Sequence, residues 1–171
     1  MRIGKSILPL LLLTLAACGY RLAGTKGNSG AGQTIAVPTF TNRTTAYRVE
    51  QRISDSLRSE LVRSTQFKVV PAETGDVVVS GEVVDYVASP ILFNERGRAS
   101  SYNISIGLKV VITDAKSRAV LFQNDHWVFR EVFELGQNSA EFVPEDPAAV
   151  DRLARRFASS LVASLLHRKT Q

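Results

Sequence analysis

Tyr102-Asn103-Ile104-Ser105-Ile106-Gly107-Leu108-Lys109-Val110-Val111-Ile112-Thr113 is the stretch that decides the fold. Successive side chains of an extended chain point to opposite faces. Tyr102, Ile104, Ile106, Leu108, Val110 and Ile112 therefore share one face, and Asn103, Ser105, Gly107, Lys109, Val111 and Thr113 share the other. One face is apolar and one mostly polar, the pattern of a strand in an antiparallel sheet covered on one side. Downstream, Asp114 to Arg118 reads as a short turn, and Ala119 to Leu135 as a long returning strand with a bulge expected near Asn124-Asp125. On that strand Trp127, Phe129 and Phe133 share a face with Glu131, while His126, Arg130 and Glu134 share the other with Val128 and Val132. Upstream, Val77 to Val87 reads as a strand, joined to the central one by a loop from Ser89 to Ser101. That loop contains Pro90 and the charged run Glu95-Arg96-Gly97-Arg98.

Further toward the N-terminus, Phe67 to Val70 reads as a short strand stopped by Pro71. Thr34 to Phe40 reads as another, with Pro38 pointing to an edge or a bulge. Between them Val49, Ile53, Leu57 and Leu61 recur every four residues among Glu50, Arg52, Asp55, Arg58 and Ser59, an amphipathic helix that Thr44 or Thr45 is placed to cap. After a polar loop from Gly136 to Pro144, Asp146-Pro147 opens a second helix, aspartate as cap and proline in the first turn. Its apolar stripe is Val150, Leu153, Ala154, Phe157, Leu161 and Leu165. Two such helices most economically cover one face of one sheet. The expected fold is α+β, a two-layer sandwich: a mainly antiparallel sheet of about four to five strands covered on one face by two helices.

The ends of the chain organise the rest. Arg2 and Lys5 precede an apolar run from Ile7 to Leu15, and Leu15-Ala16-Ala17-Cys18 follows with the only cysteine. The run is about half of the roughly 20 residues that a spanning helix needs, and it contains Pro9. The stretch resembles a bacterial lipobox, which implies removal of residues 1–17 and a covalent lipid on Cys18. Two or three acyl chains there would hold the protein at a membrane durably, whereas one holds only marginally. Gly19, rather than aspartate, after the cysteine points to the outer membrane. Residues 18–33 carry Gly24, Gly27, Gly30 and Gly32 among small polar residues and read as a flexible tether. Residues 34–171 form the single folded domain.

Composition narrows the chemistry. Without the leader, 21 basic residues become 19 against 16 acidic ones, too small a surplus to indicate nucleic-acid binding. No His-Glu-x-x-His, paired cysteines or Gly-x-Ser-x-Gly occurs, so no metal site, cofactor or catalytic set is expected beyond the lipid on Cys18. His126 beside Asp125 has the makings of a base and its orienter, but such a pair in a strand bend is more often polar surface. What remains is a surface. Arg96 and Arg98 flank a glycine at a loop tip, and Lys109 and Arg130 project from the polar side of neighbouring strands, a set able to hold phosphate or carboxylate oxygens. The plainer reading is a solvated face balanced by Glu82, Glu95 and Glu134.

Three segments carry a family resemblance: Cys18-Gly19-Tyr20-Arg21-Leu22; Ile35 to Phe40 with Asn42-Arg43-Thr44; and the segment from Phe93 to Tyr102. In order and length the chain resembles the lipopolysaccharide-assembly lipoprotein family LptE. The resemblance implies a two-helix, antiparallel-sheet domain, tethered to the outer membrane and seated as a plug in the barrel protein LptD. There it would assist assembly of the barrel and delivery of lipopolysaccharide to the outer leaflet. It also implies that basic residues between Arg96 and Lys109 contact the lipid. Two other classes stay open on the residues alone: a lipoprotein adaptor of another secretion pore, and a cell-wall-modifying enzyme using scattered carboxylates. If the lipobox reading holds, Cys18→Ala abolishes incorporation of labelled fatty acid into the protein; a lipid-labelled variant refutes it.

Overall fold

In the computed structural model, which describes residues 33–135 and 146–168, the chain runs through β1 (Thr34–Ala36), β2 (Thr41–Asn42), α1 (Val49–Ser64), β3 (Lys68–Val70), a 3-10 turn (Ala72–Thr74), β4 (Val77–Phe93), β5 (Ala99–Asp114), β6 (Val120–Glu134) and α2 (Pro147–Arg168). The leader, Cys18, the tether up to residue 32 and the polar loop 136–144 lie outside the described residues. The sheet has six strands in the order β3-β1-β4-β5-β6, with β2 paired to β4 beyond the end of β1. The α+β two-layer arrangement is as expected, and the sheet is mixed. β4, β5 and β6 form an antiparallel meander, whereas β1 pairs parallel with both β3 and β4, and β2 pairs parallel with β4. The parallel half follows from α1: a helix between two strands carries the chain back to its starting end, so the next strand enters in the same direction.

The central alternation is reproduced in the burial. Ile104, Ile106, Leu108, Val110 and Ile112 of β5 are buried beneath the helices. Val49, Ile53, Leu57 and Leu61 of α1 and Val150, Leu153, Phe157 and Leu161 of α2 meet them. Phe157 lies edge-on to three rings, Phe40 at 5.9 Å, Trp127 at 6.1 Å and Phe129 at 5.8 Å between centroids. Arg52 Nη1 lies 2.9 Å from Asp151 Oδ1, joining the N-terminal turns of the two helices.

β1 ends at Ala36, two residues before Pro38, and the chain there turns to α1 for its polar partners. Phe40 N–H donates to Ser54 Oγ at 2.9 Å, and the Ser54 hydroxyl donates to Glu50 O at 2.7 Å. Arg58 Nε donates to Val37 O at 2.9 Å. Ser54, fully buried, is thus satisfied on both sides. The start of α1 differs from expectation. Neither Thr44 nor Thr45 caps it; Arg48, at φ 55°, precedes the helix without a side-chain cap. Asn42 does the local work instead. Its Oδ1 accepts from Thr44 N–H and its Nδ2 donates to Ala46 O, folding the approach to the helix. At α2 the expected cap is present: Asp146 Oδ1 accepts from Ala148 N–H at 2.9 Å and Ala149 N–H at 3.0 Å.

The segment read as a loop from Ser89 to Ser101 is instead strand for most of its length. β4 continues to Phe93 and β5 begins at Ala99, so the two form a long ribbon. β1 and β2 reach only as far as Val83, so β4 is an edge strand beyond that point, where a sheet accepts Pro90. Register shifts on both sides of Leu92 accommodate it. The bulge expected in β6 is also present, where the pairing steps from Leu108↔Trp127 to Val110↔Asn124 and leaves Asp125 and His126 together opposite Lys109.

Where the described chain begins, Thr34 and Asp76 clasp each other. Asp76 Oδ2 accepts from Thr34 Oγ1 at 2.7 Å and Thr34 N–H at 3.1 Å, and Asp76 N–H donates to Thr34 O. The Thr34 hydroxyl first, then the Thr34 N–H and then Lys116 at 3.3 Å hold the carboxyl down at about 2 from its ordinary 3.8. Lowered in the folded state, this pKa contributes stability that is complete above about pH 4 and lost as the pH falls toward 2. Accordingly, Asp76→Asn is expected to be less stable than the parent near neutrality, with the gap in denaturant midpoint closing between about pH 4 and pH 2. A gap independent of pH removes Asp76 ionisation from the account.

Candidate functional site

The end of the β4–β5 ribbon gathers two of the four basic residues singled out from the sequence. The turn is built by one side chain: Asn94 Oδ1 accepts from Arg96 N–H and from Arg98 N–H, each at 3.0 Å. Asn94 N–H donates to Arg98 O at 2.8 Å, and Gly97 N–H to Asn94 O at 2.9 Å. Gly97 takes φ 70°, a left-handed conformation that a residue without Cβ adopts at no steric cost. Both arginines are exposed, and neither makes an ion pair among the described residues.

Directly behind the turn stand three consecutive apolar residues, Ile91, Leu92 and Phe93, exposed by 52%, 58% and 58%. Sequence reading missed this shoulder, because Pro90 and the charged run disguised the strand. The signal was there in an Ile-Leu-Phe run lying outside any helical or alternating pattern. Arginine forks next to exposed apolar side chains can hold an amphipathic anion, its phosphate or carboxylate oxygens on the guanidinium groups and its apolar part on the shoulder.

Lys109 and Arg130 stand elsewhere. Lys109 lies ten residues along β5 from Ala99, about 30 Å at roughly 3.3 Å per residue. Its Nζ is 3.5 Å from Asp125 Oδ1, and its cross-strand neighbour is Glu82, itself 3.3 Å from Arg43 Nη2. This part of the open sheet face is a balanced array of charges. Arg130 sits on β6 opposite Ser105, between the two locations.

The open face also carries a polar bridge. His126 Nε2 lies 2.9 Å from Asp85 Oδ2, reaching over Gly107 on the intervening strand. A Cβ at Gly107 would stand 3.0 Å from His126 Nε2 and 3.1 Å from Asp85 Cβ, so the missing side chain leaves the gap through which the pair meets. The partner of His126 is therefore Asp85 rather than its neighbour Asp125, whose carboxylate accepts from Gln123 Nε2. Among the described residues no group of three or more His, Cys, Asp or Glu is placed to hold a metal ion, and no helix is long and apolar enough to cross a membrane.

Fold and surface together define a small α+β domain with a cationic, apolar-shouldered ribbon. The model of the family LptE, described as lipopolysaccharide-assembly, matches residues 32–165, from just before β1 into the last turns of α2, and the chain belongs to that family. A comparison with curated proteins gave no match. Among solved structures, protein XCC0632 from Xanthomonas campestris is similar at 13% identity and TM-score 0.52, covering 75% of this chain and 81% of its own. Protein CT253 from Chlamydia trachomatis is similar at 12% identity and TM-score 0.51, covering 78% and 95%. The rare lipoprotein B from Shewanella oneidensis matches at 12% identity and TM-score 0.46, covering 79% and 96%. At such identities the likeness to the first two is one of fold.

If Asn94 presents the two arginines, Asn94→Ala is expected to speed amide exchange at Arg96 and Arg98 while lowering global stability by less than about 1 kcal/mol, the scale of an exposed hydrogen bond. Unchanged exchange at both amides means the turn holds without it.

Proposed function

We propose that this protein is an outer-membrane lipoprotein, anchored through Cys18, that partners and plugs the LptD barrel, assisting its assembly and the delivery of lipopolysaccharide to the outer leaflet. The observation that carries the reading is the family match, which spans residues 32–165 and so takes in every described strand and nearly all of α2. The surface chemistry is consistent with it. A balanced array around Lys109 and Glu82 suits a hydrated lumen, and Arg96 and Arg98, backed by Ile91 to Phe93, suit a lipid that bears phosphates beside acyl chains.

The role needs no reacting group. Its work is positioning: an anchor limits where the domain acts, a rigid sheet projects the ribbon, and arginines bind phosphate through charge-assisted hydrogen bonds. Lys109, already facing Asp125, and Arg130, near the opposite edge of the sheet from β1, are placed to contribute less to lipid contact than the pair at the tip.

Gentle detergent extraction and pull-down of the native protein tests the partner: a large outer-membrane barrel should co-purify, and its absence defeats the proposal. Replacing Arg96 and Arg98 together by alanine is expected to weaken lipopolysaccharide binding by about tenfold or more, the scale of losing two charge-assisted contacts, with an unchanged thermal midpoint. Equal binding by variant and parent takes the tip out of the site.

A further inference from the structure

Just before α1, two exposed residues stand between two buried ones. Ala46 and Val49 are buried, whereas Tyr47 is 73% exposed and Arg48 is exposed beside it. The approach is fixed from below. Asn42 Nδ2 donates to Ala46 O at 2.7 Å, the Thr44 hydroxyl donates to Asn42 Oδ1 at 2.8 Å, and Ala46 N–H donates to Thr44 Oγ1 at 3.2 Å. Arg48 is costly to the fold here on three counts. Its φ of 55° is a conformation that a residue without Cβ adopts freely and a long side chain does not. It precedes the helix without capping it, where serine, threonine, aspartate or asparagine would accept from the first N–H groups. Its positive charge stands at the positive end of the helix dipole. Stability alone would select glycine or asparagine at this position, and strain kept on a surface points toward function.

What the arginine has instead is a fixed pose. Its Nε donates to Gln51 Oε1 at 2.8 Å, and its guanidinium carbon lies 5.8 Å from the centre of the Tyr47 ring, within cation–π range. Glu50, the acid nearest in sequence, accepts from Asn42 Nδ2 at 3.0 Å rather than from Arg48. Among the described residues Arg48 makes no ion pair, and both of its Nη groups and the Tyr47 hydroxyl are left to an outside partner. Arg43, by contrast, is already paired with Glu82 at 3.3 Å. The loop is also remote from the ribbon tip. It leaves the sheet beside Val83, ten residues along β4 from Phe93, about 30 Å at roughly 3.3 Å per residue.

We propose that Tyr47 and Arg48 form a prebuilt anchor for a protein partner, the Nη fork taking a carboxylate side chain and the tyrosine ring packing beside it. A planar fork suits a carboxylate through two parallel bonds, and tyrosine and arginine are enriched among the few residues that carry most of an interface's energy. Because ring, Gln51 and Asn42 hold the pose before binding, less freedom is lost on contact. The inference rests on the reading of this protein as a barrel plug, so the carboxylate belongs to the barrel wall.

The native complex, purified in mild detergent, is challenged with an excess of parent lipoprotein carrying a different tag, and exchange between the two is followed. Tyr47→Ala and Arg48→Gly are each expected to speed exchange about tenfold, and Arg48→Lys, which keeps the charge without the fork, to do nearly the same. In the lipoprotein alone, Arg48→Gly is expected to raise the thermal midpoint by about 2–4 °C, because it relieves the left-handed strain. A merely structural role for Arg48 predicts the opposite sign. Arg118→Gly, at the other left-handed residue (φ 57°), should stabilise in the same way and leave exchange unchanged. Parental exchange rates in both anchor variants, an equal effect from Arg118→Gly, or a lowered midpoint in Arg48→Gly overturns the anchor and leaves the plug standing. Parental exchange with weakened lipopolysaccharide binding assigns the fork to a lipid phosphate and overturns it as well. A parent that retains no barrel defeats both readings.

Discussion

The contact of Phe157 with three rings is the interaction on which both layers depend. Phe40 belongs to the stretch after β1, Trp127 and Phe129 belong to the last strand of the meander, and Phe157 comes from the final helix. One buried side chain therefore ties the parallel half of the sheet, the antiparallel half and the helical layer. Edge-to-face rings add stabilisation beyond the area they bury, and they also fix orientation. Ser54 and Arg58 serve the same stretch from the other helix, accepting from Phe40 N–H and donating to Val37 O. Phe40 is thus held by its ring on one helix and by its backbone on the other. Gly81 leaves the space for it: a Cβ there would come within 2.3 Å of the Phe40 ring.

The fold was legible wherever a long period ran through the chain. Alternation over Tyr102 to Thr113, the four-residue spacing from Val49 to Leu61 and the Asp146-Pro147 start of α2 all correspond to what forms. What was not legible depended on neighbours distant in sequence. The two-residue strand Thr41–Asn42 exists because Glu82 and Val83 lie beside it. Pro90 looked like a loop signal, and it is tolerated in β4 because β1 and β2 have already ended. The start of α1 escaped for a similar reason, since Asn42, rather than a threonine at the helix boundary, organises the turn.

The candidate site divides along the same line. Arg96 and Arg98 were legible because a glycine between two arginines in a charged run reads as an exposed turn, and they stand at one. The apolar shoulder was hidden, since Ile91 to Phe93 lies in the part of β4 that Pro90 and the charged run made read as a loop. Lys109 and Arg130 were grouped with the tip on the strength of a shared sheet face. A shared face says nothing about distance along a strand, and Asp125 meets Lys109 first. Glu131 shows the converse. Its carboxylate, on the otherwise apolar face of β6, is the acceptor for Arg152 at 3.0 Å and Arg156 at 3.2 Å, and so joins α2 to the edge of the sheet.

The position of β1 has a mechanical consequence. The chain enters the described domain at Thr34, and the strand that begins there lies between β3 and β4 rather than at a border. A pull on the preceding residues is therefore delivered along the axis of an inner strand with parallel neighbours on both sides. Load in that direction strains the flanking backbone bonds together as shear, instead of opening them one after another like a zipper. The Thr34–Asp76 clasp sits at the point where the load arrives. A domain entered this way resists traction at its N-terminus with its interior, and leaves the ribbon and the far edge of the sheet free of tension.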